Sequence, residues 1–97
     1  MNMQAMLKQA QKLQKDMMKV QEEVNSKIFT GESSFVKVEL QAGNVIKVSI
    51  DSDSLDKDDI EMLEDIILVA IKEAKNKYDK EMDEKMGPYT KGMPGLF

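Results

Sequence analysis

The stretch MLKQAQKLQKDMMKVQEEV, residues 6–24, places apolar residues along one side of a predicted helix. These residues recur at alternating steps of three and four, which is a heptad pattern. Such a helix of about 24 residues is roughly 36 Å long, too long to be buried along its whole length in a 97-residue chain. We therefore expect it to project, with a second helix covering its apolar seam. The seam consists of Met3, Met6, Ala10, Leu13, Met17, Val20 and Val24.

Lysines line the opposite side of the same helix. The stripe consists of Lys8, Lys12, Lys15 and Lys19, which are spaced by four, three and four. Lys8 follows the seam residue Met6 by two positions, which places the lysines about 200° around the helix from the seam. Solvated helix faces normally interleave acids with lysines, but acids are sparse here. This lysine stripe is either a solvated face or a surface for an anionic partner, and the residues alone give the two interpretations equal weight.

The composition of the 97 residues restricts the kind of recognition. All fourteen basic residues are Lys, and the net charge is −4. Lysine meets phosphate as a point charge and lacks the planar fork of arginine, so any nucleic-acid binding would favour the backbone over the bases. The negative charge is concentrated in residues 51–66, where eight acids and one Lys give −7. The whole-chain charge therefore says little about the lysine stripe.

The sequence indicates no enzyme, cofactor or metal site. It has no His and no Cys, which excludes an imidazole base and zinc sites built from these ligands. The acidic cluster 51–59 does not match a calcium loop, because an EF-hand starting at Asp51 needs Gly and Glu where Asp56 and Met62 stand. No apolar run approaches the roughly 20 residues of a membrane span, so we expect a soluble cytoplasmic protein.

The middle of the chain changes to a period of two. FVKVEL (35–40) and VIKVSI (45–50) alternate, and QAGN between them supplies residues for a tight turn. KIFTGES (27–33) contains β-forming residues followed by Gly31 as a break, which predicts a third short strand. We expect a three-stranded antiparallel sheet with one apolar face that needs cover.

A second long helix is predicted from the acidic segment to Gly87-Pro88, which should end it. Its acids favour the positive end of the helix dipole, and Ser54 or Asp56 can cap it. Residues 1–86 then form a single domain, and residues 87–97 form a flexible tail rich in Gly and Pro. The seam of this helix consists of Ile60, Leu63, Ile67, Ala70, Ala74, Tyr78, Met82 and Met86.

The middle of this second helix is apolar on every side. A chain this small cannot cover all of these residues, so we expect a homodimer with them at its interface. The interface residues are Ile66, Ile67, Leu68, Val69 and Ile71.

The fold class is therefore α+β, with a long helix, a three-stranded antiparallel sheet and a second long helix. In the order of its segments, the chain resembles the YbaB/EbfC family of bacterial nucleoid-associated proteins. The segments that carry the resemblance are the first helix, the TGES step, the VKVEL strand, the helix KDDIEMLEDIILVAIKEAKNKYDKEMDEKM and the tail GMPGLF. The resemblance covers nearly the whole chain. It implies a tweezer-like homodimer with a central sheet and projecting antiparallel helical arms.

The same resemblance implies a function and a set of site residues. It implies binding to double-stranded DNA in the nucleoid and a role in nucleoid organisation and gene regulation, without a membrane or a small-molecule substrate. The basic positions of the family's arms fall on seven lysines of this chain. They are Lys8, Lys12, Lys15, Lys19, Lys75, Lys80 and Lys85.

A protein-binding module is the alternative interpretation. Prefoldin-like chaperone subunits also combine a hairpin with projecting helices, and the Met-rich seams would then hold unfolded chains. The outward position of the lysine stripe favours DNA. Salt separates the two, because phosphate binding weakens steeply with salt and hydrophobic capture does not.

Overall fold

The computed structural model describes residues 2–51, 53 and 55–90. It consists of two long helices and a three-stranded antiparallel sheet, which confirms the predicted α+β class. In chain order, the elements are α1 (Met3–Ser26), β1 (Ile28–Ser33), β2 (Val36–Gln41), β3 (Asn44–Ile50), a short 3₁₀ turn (Lys57–Asp59) and α2 (Ile60–Thr90).

The predicted hairpin joins β2 to β3 through a two-residue turn. Ala42 and Gly43 have φ angles of 54° and 80°, as in the type I′ turns whose twist matches antiparallel strands. Gln41 then pairs with Asn44. This register places the buried Val36 and Val38 on one face of the sheet, and the order of strands is β1-β2-β3.

Gly31 lies in the middle of β1, so its interpretation as a break in the sequence pattern is wrong. The residue is buried because α2 crosses β1 at this point. A Cβ atom on Gly31 would lie 2.0 Å from the carbonyl oxygen of Ala70 and 2.6 Å from the backbone nitrogen of Ala74. Both alanines are fully buried. Three small residues thus allow the helix backbone to approach the strand closely.

The core lies between α2 and the first two strands. Leu40 joins the buried strand valines, and Ala70 and Ala74 face them from α2. By contrast, β3 is an edge strand that α2 covers poorly, and Val45, Val48 and Ile50 remain 40–42% exposed. Part of the apolar face of the sheet is therefore uncovered within one chain.

Both predicted ends of α2 need correction. The helix begins at Ile60, because the acidic residues before it form the 3₁₀ turn, which the Asp56 side chain caps by accepting from the Lys57 backbone nitrogen at 2.9 Å. Ser54 lies outside the described residues. Pro88 does not end the helix, which continues to Thr90. Pro88 removes one backbone hydrogen bond and crowds the carbonyl group four residues before it, and the burial of Met86 in the same turn offsets this cost.

The helices α1 and α2 form an antiparallel pair, here called the arm. Asn25 hydrogen-bonds Tyr78. Counting twelve residues along each helix from this pair places Leu13 level with Thr90. Residues 2–12 are all exposed, whereas Leu13 is half-buried. The first ten residues of α1, the arm tip, therefore extend about 15 Å beyond the described end of α2.

The arm makes the molecule long and thin. Its principal extents are 70 × 22 × 14 Å and its radius of gyration is 19.5 Å. A compact chain of this length would have a radius of gyration of about 12–13 Å. The predicted seam pairing is confirmed for the half nearest the sheet, where Val24 is buried, and is absent at the arm tip, where Met3 and Met6 are exposed.

Replacing Gly31 with Ala tests the close approach of α2 to β1. The new methyl group meets backbone atoms that cannot move without lifting the helix. We expect a loss of about 3 kcal/mol in the free energy of unfolding, measured by urea titration.

Gly87→Ala is the matched control, because nothing apart from the adjoining helix backbone and its two chain neighbours lies within 4 Å of a Cβ placed there. Alanine favours a helix more than glycine does, but its Cβ is crowded by the ring of Pro88, so we expect a much smaller change in stability than for Gly31→Ala. Equal midpoints for Gly31→Ala and the parent would contradict the packing described here.

Candidate nucleic-acid interface

The lysine stripe occupies the outward face of α1. Lys8, Lys12, Lys15 and Lys19 are all exposed, and the opposite side of the helix carries the seam residues that pack against α2. Ion pairs in the described part of the chain join Lys27 to Glu81 and Lys77 to Glu73; none involves the stripe. The structure therefore brings these four lysines together as a continuous unpaired cationic surface.

The three α2 lysines predicted to bind DNA are arranged differently. Lys75, Lys80 and Lys85 are exposed, but steps of five residues separate them by about 140° around the helix. They therefore point to three different sides of α2. The structure does not join them into one stripe, and their role stays a prediction.

Neutral residues that sequence reasoning did not assign to the site share the surface of the stripe. Gln11, Gln14 and Met18 border one shallow, open depression on the surface of α1 together with Lys8, Lys12 and Lys15. The sequence contains a pattern that could have identified them, because each of the three residues stands one position before a lysine of the stripe. The cationic surface thus has an uncharged border on one side.

A group of contacts fixes the base of the arm to the sheet. The Tyr78 hydroxyl donates to Asn25 Oδ1 at 2.6 Å, and its ring meets Phe29 edge to face with centroids 5.7 Å apart. The Gln41 side chain donates to the Ser26 carbonyl at 3.0 Å. These contacts tie the end of α1 to α2, to β1 and to the end of β2, so they set the direction in which the lysine stripe projects.

The acidic segment lies far from the arm tip. Residues 51–66 precede or begin α2, whose thirty residue steps span about 45 Å. The end of α2 is level with Leu13, so the stripe and the acidic segment lie toward opposite ends of the molecule. Screening limits the influence of exposed charges to about 10 Å at moderate salt. The negative net charge therefore does not cancel the field of the stripe.

The residues predicted for the dimer interface divide into two groups. Ile66, Ile67 and Ile71 pack against the core of their own chain. Leu68 and Val69 are 55% and 53% exposed. Other large apolar residues of the same helix and the sheet edge are also exposed, namely Ile60, Met62, Val45, Ile46, Val48 and Ile50. We refer to these eight exposed residues as the apolar patch.

Other kinds of site find no support in the residues described. Within residues 2–51, 53 and 55–90, no group of three or more acidic side chains is arranged to hold a metal ion. No helix in that part of the chain is long and apolar enough to cross a membrane.

A projecting helix with an unpaired row of lysines has the charge that a polyanion would meet favourably. Comparison with known proteins identifies the class. Residues 1–93 match the YbaB/EbfC DNA-binding family, and the chain belongs to that family.

Relatives from several bacteria match along nearly their whole lengths. A nucleoid-associated protein of Ligilactobacillus salivarius (strain UCC118) is 42% identical, covering 99% of this chain and 95% of the relative. One from Enterococcus faecalis (strain ATCC 700802 / V583) is 42% identical, covering 98% and 94%. One from Lactococcus lactis subsp. cremoris (strain MG1363) is 41% identical, covering 97% and 98%.

Tyr78→Phe tests the contact that fixes the base of the arm. The variant keeps the ring and its contact with Phe29 but loses the hydrogen bond to Asn25, so we expect a loss of about 1 kcal/mol in the free energy of unfolding. Combining it with Asn25→Ala in a double-mutant cycle isolates the bond. Additive effects of the two changes would show that the side chains do not interact.

Proposed function

We propose that this chain binds double-stranded DNA as a homodimer, mainly through the phosphate backbone, and that it organises the nucleoid and influences gene expression. The observation that carries the proposal is the lysine stripe, whose four charges are exposed and unpaired within the described residues. The family supports DNA as the partner, and the relatives, which are nucleoid-associated proteins, support the nucleoid as the location.

The chemistry of the stripe supports backbone contacts. Four lysines on one helix follow a line about 16 Å long, from Lys8 to Lys19. A single DNA strand places a phosphate every 3.4 Å along the helix axis, so this line passes several phosphates. Lysine contributes a mobile point charge at each of them, which supplies affinity without requiring a particular base.

The apolar patch supports the dimer. Single exposed apolar residues are ordinary, but eight large ones on one edge strand and the first part of one helix favour a binding surface. The patch lies toward the end of the molecule opposite the arm tip, since it involves β3 and the first part of α2. Joining two copies there covers the apolar residues and leaves both lysine stripes accessible.

A protein-capturing chaperone module is less well supported. Such a module needs apolar seams open along its arms, and here Leu13, Met17, Val20 and Val24 are partly or fully buried against α2. The seam is open only at Met3, Met6 and Ala10. DNA binding also agrees with the family, which is a DNA-binding one.

Replacing Lys8, Lys12, Lys15 and Lys19 together with Gln tests the stripe. Glutamine keeps helix propensity close to that of lysine, so the melting temperature should stay nearly unchanged. Binding to duplex DNA in a mobility-shift assay should be largely lost. For the parent, contact with six to eight phosphates predicts a slope of roughly −5 to −7 for log affinity against log salt.

The matched control replaces Lys37, Lys47, Lys57 and Lys72 with Gln. These lysines are exposed on the sheet, the 3₁₀ turn and α2, away from the stripe, and the variant undergoes the same change of net charge. It should bind DNA like the parent. Equal weakening in both quadruple variants would show that only the total charge matters, and retained binding in the stripe variant would place the DNA site elsewhere.

Sedimentation equilibrium at micromolar concentration tests the dimer. The parent should show twice the chain mass of 11.0 kDa. Leu68→Asp with Val69→Asp should give folded monomers, because both residues are exposed in the single chain and would be buried only in a dimer. Ile67→Asp should instead unfold the chain, since Ile67 packs against the core.

Leu7→Asp serves as the control for this experiment. Leu7 is 58% exposed, close to the value for Leu68, but it lies at the arm tip. This variant should remain a dimer. A parent protein that sediments as a monomer, or a dimer unaffected by the paired Asp changes, would refute the proposed interface.

A further inference from the structure

A second stripe runs along α1 beside the lysines. It consists of Leu7, Gln11, Gln14 and Met18, spaced by four, three and four like the lysines themselves. Each member stands one residue before a lysine of the stripe, so the two rows are about 100° apart around the helix. We refer to this row as the glutamine stripe.

The glutamine stripe is not part of the core. All four of its residues are exposed, with Leu7 at 58% and Met18 at 53%. The seam residues beside Gln14 and Met18, which are Leu13 and Met17, are half-buried instead. Both apolar side chains lie beside the row of lysines and contribute little to the packing of one chain, so they are available to a ligand that contacts the lysines.

The two glutamine amides are available for recognition. Each offers two N–H donors and a carbonyl acceptor. In the described residues neither side chain makes a hydrogen bond, unlike Gln41, which is bound to Ser26. Gln11 and Gln14 also border the same open depression of the α1 surface as Lys8, Lys12 and Lys15. A ligand that reaches the lysines therefore comes within reach of the amides.

The dimensions of the arm tip match those of the DNA major groove. A single α-helix with its side chains is about 10–12 Å in diameter, and the groove is about 12 Å wide. Only the first part of α1 is unaccompanied by the described part of α2. From Leu7 to Met18 the rise is about 16 Å, which corresponds to roughly five base pairs at 3.4 Å each. Leu7 and Gln11 lie in the unaccompanied part of α1, and Gln14 and Met18 lie beyond it on an exposed side of the helix.

From this geometry we propose that α1 lies in the major groove, with the lysine stripe on phosphates and the glutamine stripe on the base edges of A·T pairs. The amide of Gln fits the N6 and N7 atoms of adenine in a bidentate contact, and apolar side chains fit the methyl group of thymine. Gln11 and Gln14 are separated by a rise of about 4.5 Å, close to one base-pair step. The inference rests on the proposed DNA binding and adds to it a modest preference for A·T pairs.

The main experiment compares Gln11→Ala/Gln14→Ala with the parent on matched A·T and G·C duplexes. Alanine favours the helix and leaves the lysines in place. The parent should bind the A·T duplex about fivefold or more tightly than the G·C duplex. The variant should lose this ratio, while its salt dependence stays that of the parent because the phosphate contacts remain.

A chemical change in the DNA tests the apolar members of the stripe. Uracil in place of thymine removes only the methyl group in the major groove. The parent should bind the uracil duplex more weakly than the thymine duplex, and Leu7→Ala/Met18→Ala should bind both equally. A uracil duplex that binds the parent as well as the thymine duplex would contradict this part of the proposal.

Gln9→Ala/Gln21→Ala is the matched control, since both residues are exposed glutamines of α1 that do not border the depression beside Lys8, Lys12 and Lys15. It should keep the preference of the parent. If the parent binds DNA with no A·T preference, or if Gln11→Ala/Gln14→Ala keeps it, the inference is wrong and the proposed function stands. If the parent binds no DNA at low salt, both are wrong.

Discussion

The close approach of α2 to β1 at Gly31 determines where the rest of the molecule lies. A Cβ on this residue would overlap the backbone at Ala70 and Ala74, so only glycine allows the helix to pack at this distance. The strand then meets the helix backbone rather than a layer of side chains. Because α2 continues without interruption to Thr90, its position on the sheet also fixes the line along which the arm projects.

This packing also explains why apolar surface is left over. A single helix seated on β1 covers the first two strands and leaves the apolar residues of β3 exposed. Beyond the sheet, the same helix covers the part of α1 nearest to it and ends level with Leu13. In the described part of the chain, an apolar surface therefore lies at the sheet end, and a charged helix without a neighbouring helix lies at the other end. Neither feature is explained by the stability of the single chain.

The sequence predicts the parts of this structure that depend on periodicity. Steps of three and four identify both helices, alternation identifies β2 and β3, and the turn residues Ala42-Gly43 set their register. Gly31 was misread because a sequence pattern does not show how closely two backbones approach. The end of α2 was misread because the buried Met86 outweighs the local effect of Pro88.

Helical periodicity also predicts part of the candidate site. Four lysines at helical spacing form a stripe wherever the helix packs by its opposite seam, so the exposure of Lys8, Lys12, Lys15 and Lys19 follows from the pattern. The sequence could not show which apolar residues stay exposed. Leu68 and Ile67 are neighbours in one apolar run, yet Ile67 packs against its own core and Leu68 is 55% exposed. That difference depends on where α2 rests on the sheet.

The separation of charge along the molecule has a consequence for how DNA is approached. The acidic residues 51–66 carry −7 and lie tens of ångströms from the arm tip, several times the screening length of about 10 Å. Each end therefore acts on a nearby polyanion independently, with repulsion at the sheet end and attraction along the lysine stripe. An acidic protein can thus bind DNA in one orientation, because the local charge decides the contact and the net charge does not.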